Sequence, residues 1–237
     1  MLRSRQAVIA ALGGALVVAL IATGRISRNE TIAYVVLIPA VLLHELAKRI
    51  ASRLLVDRAS GASGHPSLSL RATIDPIGTL LVPALLLLGG VGLFGWARRS
   101  VTPATGLRWR RDIPVLVALT GVVVSLLMLI PAALIFSAAQ GSSLEAGRPL
   151  LATVAYFFGL ANLWIGLVNL IPIPPLDGCV VLERFLPTRA WPRYLKVRPY
   201  LLAGFIGVIF IDVSLHFGIV NSVTIALSNL WGSILGL

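Results

Sequence analysis

The sequence predicts an all-α polytopic membrane protein with about six transmembrane helices, a re-entrant hairpin and a short β segment after the second helix. Apolar residues make up 57% of the 237 positions. Charged residues make up 12%, against about 25% in an ordinary soluble domain. The mean hydropathy is +0.94. Such a composition excludes a soluble globular enzyme and a disordered chain. Residues 1–237 are therefore expected to form a single integral membrane domain.

Long apolar stretches define the expected spans, because a helix needs about 20 apolar residues to cross the hydrocarbon. The first span, Ala7–Gly24, is interpreted as retained, since its apolar stretch exceeds the roughly 7–15 residues of a signal-peptide core. The other apolar segments are Thr31–Leu55, Ile74–Ala97, Ile113–Ala139, Leu150–Leu176 and Pro199–Leu237. The last segment lacks Lys and Arg, and 199–237 is expected to hold additional C-terminal membrane helices.

The segment Ile74–Ala97 is predicted to enter and leave the membrane on the same side. Basic loops flank it, and the positive-inside rule places both loops in the cytoplasm. It is too short for two full crossings, so we expect a hairpin broken near Pro83 or Gly89-Gly90, buried by protein. Just before it, the alternation Leu68-Ser69-Leu70 predicts the short strand.

The formal charge of +11 comes from 20 basic and 9 acidic residues. In a soluble protein this excess would suggest a nucleic-acid partner. Here the bases lie in short loops between apolar segments, which is how a chain is oriented in a bilayer. The sequence therefore predicts a protein of the cell membrane with cytoplasmic basic loops and no nucleic-acid partner. Cys179 is the single cysteine, so an internal disulfide is excluded.

Ionisable residues within the second span are candidates for function, because each charge there costs roughly 2.5–3.5 kcal/mol on insertion scales. His44-Glu45-x-x-Lys48 is similar to the zinc motif H-E-x-x-H with its last letter changed. In the intact motif two His bind one metal and the Glu acts as general base on the metal-bound water. The alternative is an interfacial helix end, in which Lys48 and Arg49 extend to the headgroups and pair with Glu45.

A second polar element ends the segment Leu150–Leu176. Asn169 to Gly178 reads N-L-I-P-I-P-P-L-D-G, and its three prolines cannot continue a regular helix. They predict an unwound stretch that presents Asp177 near the cytoplasmic side, on the same side as His44. The alternative is a simple helix terminator, with Asp177 capping the next helix.

Together these elements resemble the site-2 protease family of intramembrane zinc metalloproteases. The resemblance covers residues 35–187 as a site-2-protease-like core. It rests on the His44-Glu45 helix, on Ile74–Thr79 with the later Phe94–Ala97, and on Asn169–Gly178. It implies that peptide bonds in or next to a substrate's transmembrane helix are hydrolysed. It also implies zinc ligands at His44, position 48 and Asp177, with Glu45 as the general base.

The sequence departs from the family pattern at two places. Position 48 is Lys, and the family's A-G-P-x-x-N stretch appears as Thr120–Ser125, which keeps Gly121 but has Val122 and Ser125 in place of Pro and Asn. In the family this Asn helps to hold the substrate near the metal. The resemblance thus implies a substrate region formed by Gly121, Ser125, Asn169, Pro172, Pro174 and Pro175.

The lysine weakens any zinc site. At pH 7 a lysine must lose a proton with a pKa near 10.4 to become a ligand, which costs about 4.6 kcal/mol before any help from burial or the metal. A catalytic zinc normally has three protein ligands, and only His44 and Asp177 remain. We therefore hypothesise that the ammonium of Lys48 replaces zinc and pairs with Asp177 or Glu45, which keeps the fold and abolishes hydrolysis.

Three functions follow from these observations. The first is a proteolytically impaired relative that binds transmembrane helices or other membrane proteins without cutting them. The second is an active zinc protease that tolerates Lys48. The third is a small transporter that uses Asp212 and His216, which lie four positions apart on a presumed helix. The alternative for this last pair is a hydrogen-bonded pair that faces other helices.

Overall fold

Every regular secondary-structure element in the described part of the chain is helical. A computed structural model describes residues 2–60, 68–69, 73–88, 95, 97, 112–141, 148–174, 176–215 and 217–237. Its longer helices are α1 (Leu2–Ala22), α2 (Arg28–Ser60), α4 (Asp112–Leu127), α5 (Leu129–Gly141), α6 (Arg148–Val168), α8 (Trp191–Ser214) and α9 (Ile219–Leu235). Its shorter elements are a π-helix (Pro76–Leu81), α3 (Val82–Leu88), α7 (Gly178–Phe185) and a 3₁₀ turn (Thr188–Ala190).

Three of the described helical segments are long and apolar enough to cross a membrane: Arg28–Leu55, Asp112–Gln140 and Leu150–Val168. They coincide with the second, fourth and fifth predicted segments. The middle one consists of α4 and α5, which meet at Met128. Pro131 has no N–H to donate to the carbonyl of Leu127, and this missing bond accounts for the interruption. The prediction of about six spans is not confirmed beyond these three.

The predicted hairpin segment begins with a π-helix and continues as α3. Asp75 caps the π-helix, because its carboxylate accepts a hydrogen bond from the N–H of Ile77 at 3.1 Å. Farther along, Gly95 approaches the start of the segment, since a Cβ there would lie 2.8 Å from the carbonyl oxygen of Gly78 and 3.0 Å from Pro83. Gly89-Gly90 lies outside the described residues, and the hairpin's membrane depth stays a prediction.

The short β segment is not seen. Leu68 and Ser69 have no regular secondary structure, and Leu70 lies outside the described residues. The carbonyl of Ser69 instead accepts hydrogen bonds from the backbone N–H of Thr73 at 3.2 Å and from its hydroxyl at 3.1 Å. This i to i+4 turn uses the carbonyl group that a strand would offer to a neighbouring strand. Alternation of apolar and polar residues at Leu68-Ser69-Leu70 is therefore not enough to predict a strand.

The core lies where α2 packs against α4 and α6. Leu37, Ala40 and Val41 of α2 form a buried cluster with Ile165 of α6. Next to it, α9 is anchored by the fully buried Trp231. These contacts fix the three long helices against one another and hold the polar turn of α2 between its neighbours.

The close fit of Trp231 depends on a glycine in α6. A Cβ at Gly159 would lie 2.1 Å from the Trp231 ring, so the indole occupies the space that the missing side chain leaves. The indole N–H donates to the carbonyl of Tyr156 at 3.0 Å. The ring therefore buries its apolar surface and satisfies its only donor at the same contact.

Candidate functional site

One turn of α2 carries the residues that the sequence singled out. His44 and Lys48 are four positions apart and share a helix face, and Glu45 lies three positions before Lys48. All three side chains are buried, with 5%, 2% and 6% of His44, Glu45 and Lys48 exposed. Buried charges need partners, and the neighbouring elements supply them.

The proline-containing turn after α6 brings Asp177 to this face. The helix ends at Val168, and the apolar segment continues from there into the turn without regular helix. Pro172 has no N–H for the carbonyl of Val168, which accepts instead from Ile171 at 3.0 Å. Pro174 is buried and Pro172 is exposed, while Pro175 lies outside the described residues.

Asn169 closes this turn into a compact loop. Its amide nitrogen donates to the carbonyl of Ile165 at 2.8 Å, and its amide oxygen accepts from the N–H of Asp177 at 3.4 Å. Its own carbonyl accepts from the N–H of Gly178 at 2.6 Å. A Cβ at Gly178 would lie 2.2 Å from the carbonyl oxygen of Leu170, so the loop can close only around a glycine. Asn169 therefore positions Asp177.

Lys48 joins the two carboxylates of the site. Its Nζ lies 2.7 Å from Glu45 Oε2 and 2.7 Å from Asp177 Oδ1. Arg49 adds a second cation, with its Nε 3.6 Å from Glu45 Oε1. Lys48 and Arg49 thus both lie beside Glu45 inside the protein, and Lys48 also lies beside Asp177.

His44 links Asp177 to α4. Its Nε2 lies 2.7 Å from Asp177 Oδ2, and its Nδ1 lies 2.9 Å from the hydroxyl of Ser125. Burial alone would raise the pKa of the Asp177 carboxyl. The Lys48 ammonium and the hydrogen bond with His44 outweigh burial and hold this pKa well below its usual range. The ionised carboxylate can only accept, so Nε2 carries the proton, and in a neutral ring Nδ1 accepts from Ser125.

Gly121 allows α4 to approach this turn of α2. A Cβ at Gly121 would lie 2.7 Å from both His44 Nε2 and the Cδ of Lys48. The glycine that the sequence resemblance assigned to a substrate region therefore packs directly against the polar cluster. Ser125, one turn farther along α4, is also buried.

The donor set does not fit a catalytic zinc ion. Two ligands held about 2.0–2.2 Å from a tetrahedral zinc lie roughly 3.4 Å apart, whereas His44 Nε2 and Asp177 Oδ2 are in direct hydrogen-bond contact at 2.7 Å. The third expected ligand position carries the ammonium of Lys48. Within the described ranges, no group of three or more His, Cys, Asp and Glu could hold a metal ion. His65 and His216 lie outside those ranges.

Asp212 is not part of this cluster. Its two carboxylate oxygens accept hydrogen bonds from the N–H groups of Ile219 and Val220 at 2.8 and 3.0 Å. These are the first residues of α9, so the carboxylate caps that helix. The helix that carries Asp212 ends at Ser214, before position 216. This arrangement favours a structural role for Asp212.

Sequence reasoning missed the ion pairs that fix α7, the helix that follows Asp177. Arg184 pairs with Asp112 at the start of α4. Glu183 accepts a hydrogen bond from Tyr194 at 2.7 Å and lies 3.5 Å from Arg198. The sequence did offer one indication of these ion pairs, because Glu183 is the only acidic residue in the basic segment 183–198. These contacts hold the end of α7 against α4 and α8.

The fold and the site define a class of membrane protein. Apolar helices bury a His-Glu pair, and a proline-broken turn brings an Asp to it, which is the layout that the resemblance to membrane metalloproteases implied. Comparison with known proteins supports this class. A family model described as Peptidase family M50 matches residues 115–211, which include Gly121, Ser125 and Asp177 and begin after His44 and Lys48.

A relative extends the similarity over most of the chain. It is the "Putative zinc metalloprotease YwhC" of Bacillus subtilis (strain 168), 27% identical over 175 residues, which are 73% of this chain and 75% of the relative. No solved structure matches the chain. The family match and this relative both support the resemblance to the site-2 protease family.

Proposed function

We propose that this chain is a site-2-protease-like integral membrane protein that binds transmembrane segments of other membrane proteins without cutting them. The position of Lys48 Nζ, 2.7 Å from both Glu45 and Asp177, is the observation that carries this proposal. The amine engages both the residue that would act as general base and a residue that would bind zinc. A cation held by both carboxylates offsets their charge without a metal.

The partner class follows from the family, whose substrates are transmembrane helices. The residues that the resemblance assigned to the substrate region differ in accessibility. Gly121, Ser125 and Pro174 are buried, Asn169 is half-buried and Pro172 is exposed. We therefore expect a partner helix to contact the proline-containing turn at Pro172 first.

The decisive experiment combines metal analysis with cleavage and capture of a single-span substrate. The purified full chain should contain well below one zinc per molecule, and it should retain a co-expressed single-span protein uncut. A Pro172→Ala variant, which changes the exposed part of the turn, should retain less of that protein than Pro192→Ala, an exposed proline outside the turn. About one zinc per chain, lost in His44→Ala and Asp177→Ala, would sink the proposal.

An active zinc protease is the second candidate. The printed name of the relative from Bacillus subtilis favours it. Under this alternative, a co-expressed single-span substrate is cut, and Glu45→Gln removes the cleavage. Cleavage that persists in Glu45→Gln would point to a contaminating protease and not to this chain.

The membrane orientation is also a proposal. We infer that the basic segments face the cytoplasm and that about six spans cross the bilayer. The re-entrant hairpin enters and leaves the bilayer on the same side. The charge distribution supports this, because the basic residues cluster in alternate loops. Single cysteines placed at exposed Arg25 and Arg189, in a chain with Cys179→Ser, test it. An impermeant thiol reagent added outside intact cells should label the first and spare the second.

A further inference from the structure

The basic residues around the start of α8 fall into two groups. Arg184 and Arg198 are used within the protein, where they pair with Asp112 and Glu183. The other three cations in this stretch are exposed and make no ion pair within the described part of the chain: Arg189, Arg193 and Lys196. The structure thus separates structural cations from cations that are available to a partner.

The first turns of α8 present two different faces. Trp191, Tyr194 and Arg198 recur at positions i, i+3 and i+7 and form the half-buried face toward Glu183. Arg193, Lys196 and Tyr200 have the same spacing and form an exposed stripe. Tyr200 is 75% exposed. Two aliphatic residues flank the stripe, Leu195 and Val197, which are 54% and 47% exposed.

This mixture of charge and apolar surface fits the boundary between lipid headgroups and acyl chains. Exposed aliphatic side chains beside cations have a favourable environment there, with the cations among phosphates and the carbon surface in the acyl region. Beyond Tyr200 the same helix becomes apolar, and residues 201–214 contain no Lys, Arg or Glu. The stripe therefore lies where the helix changes from charged to apolar, as aromatic and basic anchors do in membrane proteins.

From these observations we propose that Arg189, Arg193, Lys196 and Tyr200 form a binding surface for anionic lipid headgroups, distinct from the polar cluster at Lys48 and Asp177. Its occupant is the anionic phospholipid of the surrounding bilayer.

The test measures which lipid contacts the surface. Leu195→Cys gives a unique accessible thiol for a fluorescent label, because Cys179 is buried. The full chain is placed in nanodiscs that contain brominated phosphatidylglycerol or brominated phosphatidylcholine, each of which quenches a label that it contacts. We expect a preference for phosphatidylglycerol of at least about fivefold, which corresponds to one interfacial cation. The preference should fall at about 1 M salt, where the Debye length is about 3 Å.

Neutralising the surface should remove the preference. The combined variant Arg189→Gln, Arg193→Gln, Lys196→Gln should be quenched equally by both lipids. The matched control, Arg25→Gln with Arg28→Gln, removes exposed cations elsewhere and should keep the preference. Equal quenching of the parent chain, a preference that survives the triple change, or one that is lost in the control would overturn the proposal. A label shielded from both lipids would indicate a protein partner and would also overturn it.

Discussion

The ammonium of Lys48 lies 2.7 Å from Asp177, and both side chains are buried although 129 positions separate them in sequence. This contact ties α2 to the loop that follows α6. Removing one partner of a buried pair typically costs about 3–5 kcal/mol, because it leaves the other charge uncompensated. The pair therefore makes the stability of the whole bundle sensitive to a single side chain.

The first prediction concerns the stability that Lys48 provides. Lys48→Met should lower the free energy of unfolding by about 3–5 kcal/mol, since Asp177 and Glu45 lose their shared cation. Denaturant unfolding of the purified chain in detergent measures the change. The control is Lys196→Met, the same substitution at the only other lysine, which is exposed and should change stability by less than about 0.5 kcal/mol. Equal effects of the two substitutions would contradict a buried pair.

The second prediction tests the alignment at position 48. Lys48→His replaces the ammonium by an imidazole beside His44 and Asp177, which supplies the three ligands that a catalytic zinc normally has. Added zinc should then raise the Tm of the variant, because binding to the folded state alone stabilises it. The parent chain should show a much smaller shift. A variant that does not respond to zinc would mean that position 48 does not face the ligand position.

The third prediction concerns the space that Gly121 leaves for the polar cluster. Gly121→Ala puts a Cβ about 2.7 Å from His44 and Lys48, so these side chains must move. Overpacking of this kind typically costs about 1–3 kcal/mol. Gly204→Ala is the matched control, because a Cβ there meets nothing within 4 Å and alanine favours the helix. Thermal unfolding of both variants should show a loss for the first and none for the second.

Some of this site could be predicted from the sequence, and some could not. The shared face of Glu45 and Lys48 follows from helix periodicity alone. The unwound turn before Asp177 follows from its prolines. The helix α6 ends at Val168, one turn before Pro172, because Pro172 has no N–H to donate to the carbonyl of Val168. Local patterns have no information about which helices meet, so they could not give the loop closure at Gly178 or the partner of Asp212.

The contact between Ser125 and His44 joins residues 81 positions apart, and it explains a departure from the family pattern. The family has Asn where this chain has Ser125, and the hydroxyl lies next to the imidazole nitrogen that does not face Asp177. Lys48 and Ser125, which look like two unrelated losses in sequence, therefore lie at the two ends of one hydrogen-bonded chain through Asp177 and His44. Such a chain of hydrogen bonds favours a structural role for the cluster.

The last prediction is that Nε2 of His44 carries a proton. Asp177 Oδ2 lies 2.7 Å from Nε2 and accepts from it, and the hydroxyl of Ser125 lies 2.9 Å from Nδ1. Nitrogen NMR of the ¹⁵N-histidine-labelled chain distinguishes the two neutral tautomers, and His44→Gln identifies the signal.

Ser125→Ala should shift the Nδ1 resonance and lower the free energy of unfolding by about 1 kcal/mol, which is the usual contribution of one hydrogen bond. Val123→Ala, on an exposed position of the same helix, should leave the resonance unchanged. A proton on Nδ1 would instead leave the Nε2 lone pair free, and His44 would then be poised to bind a metal.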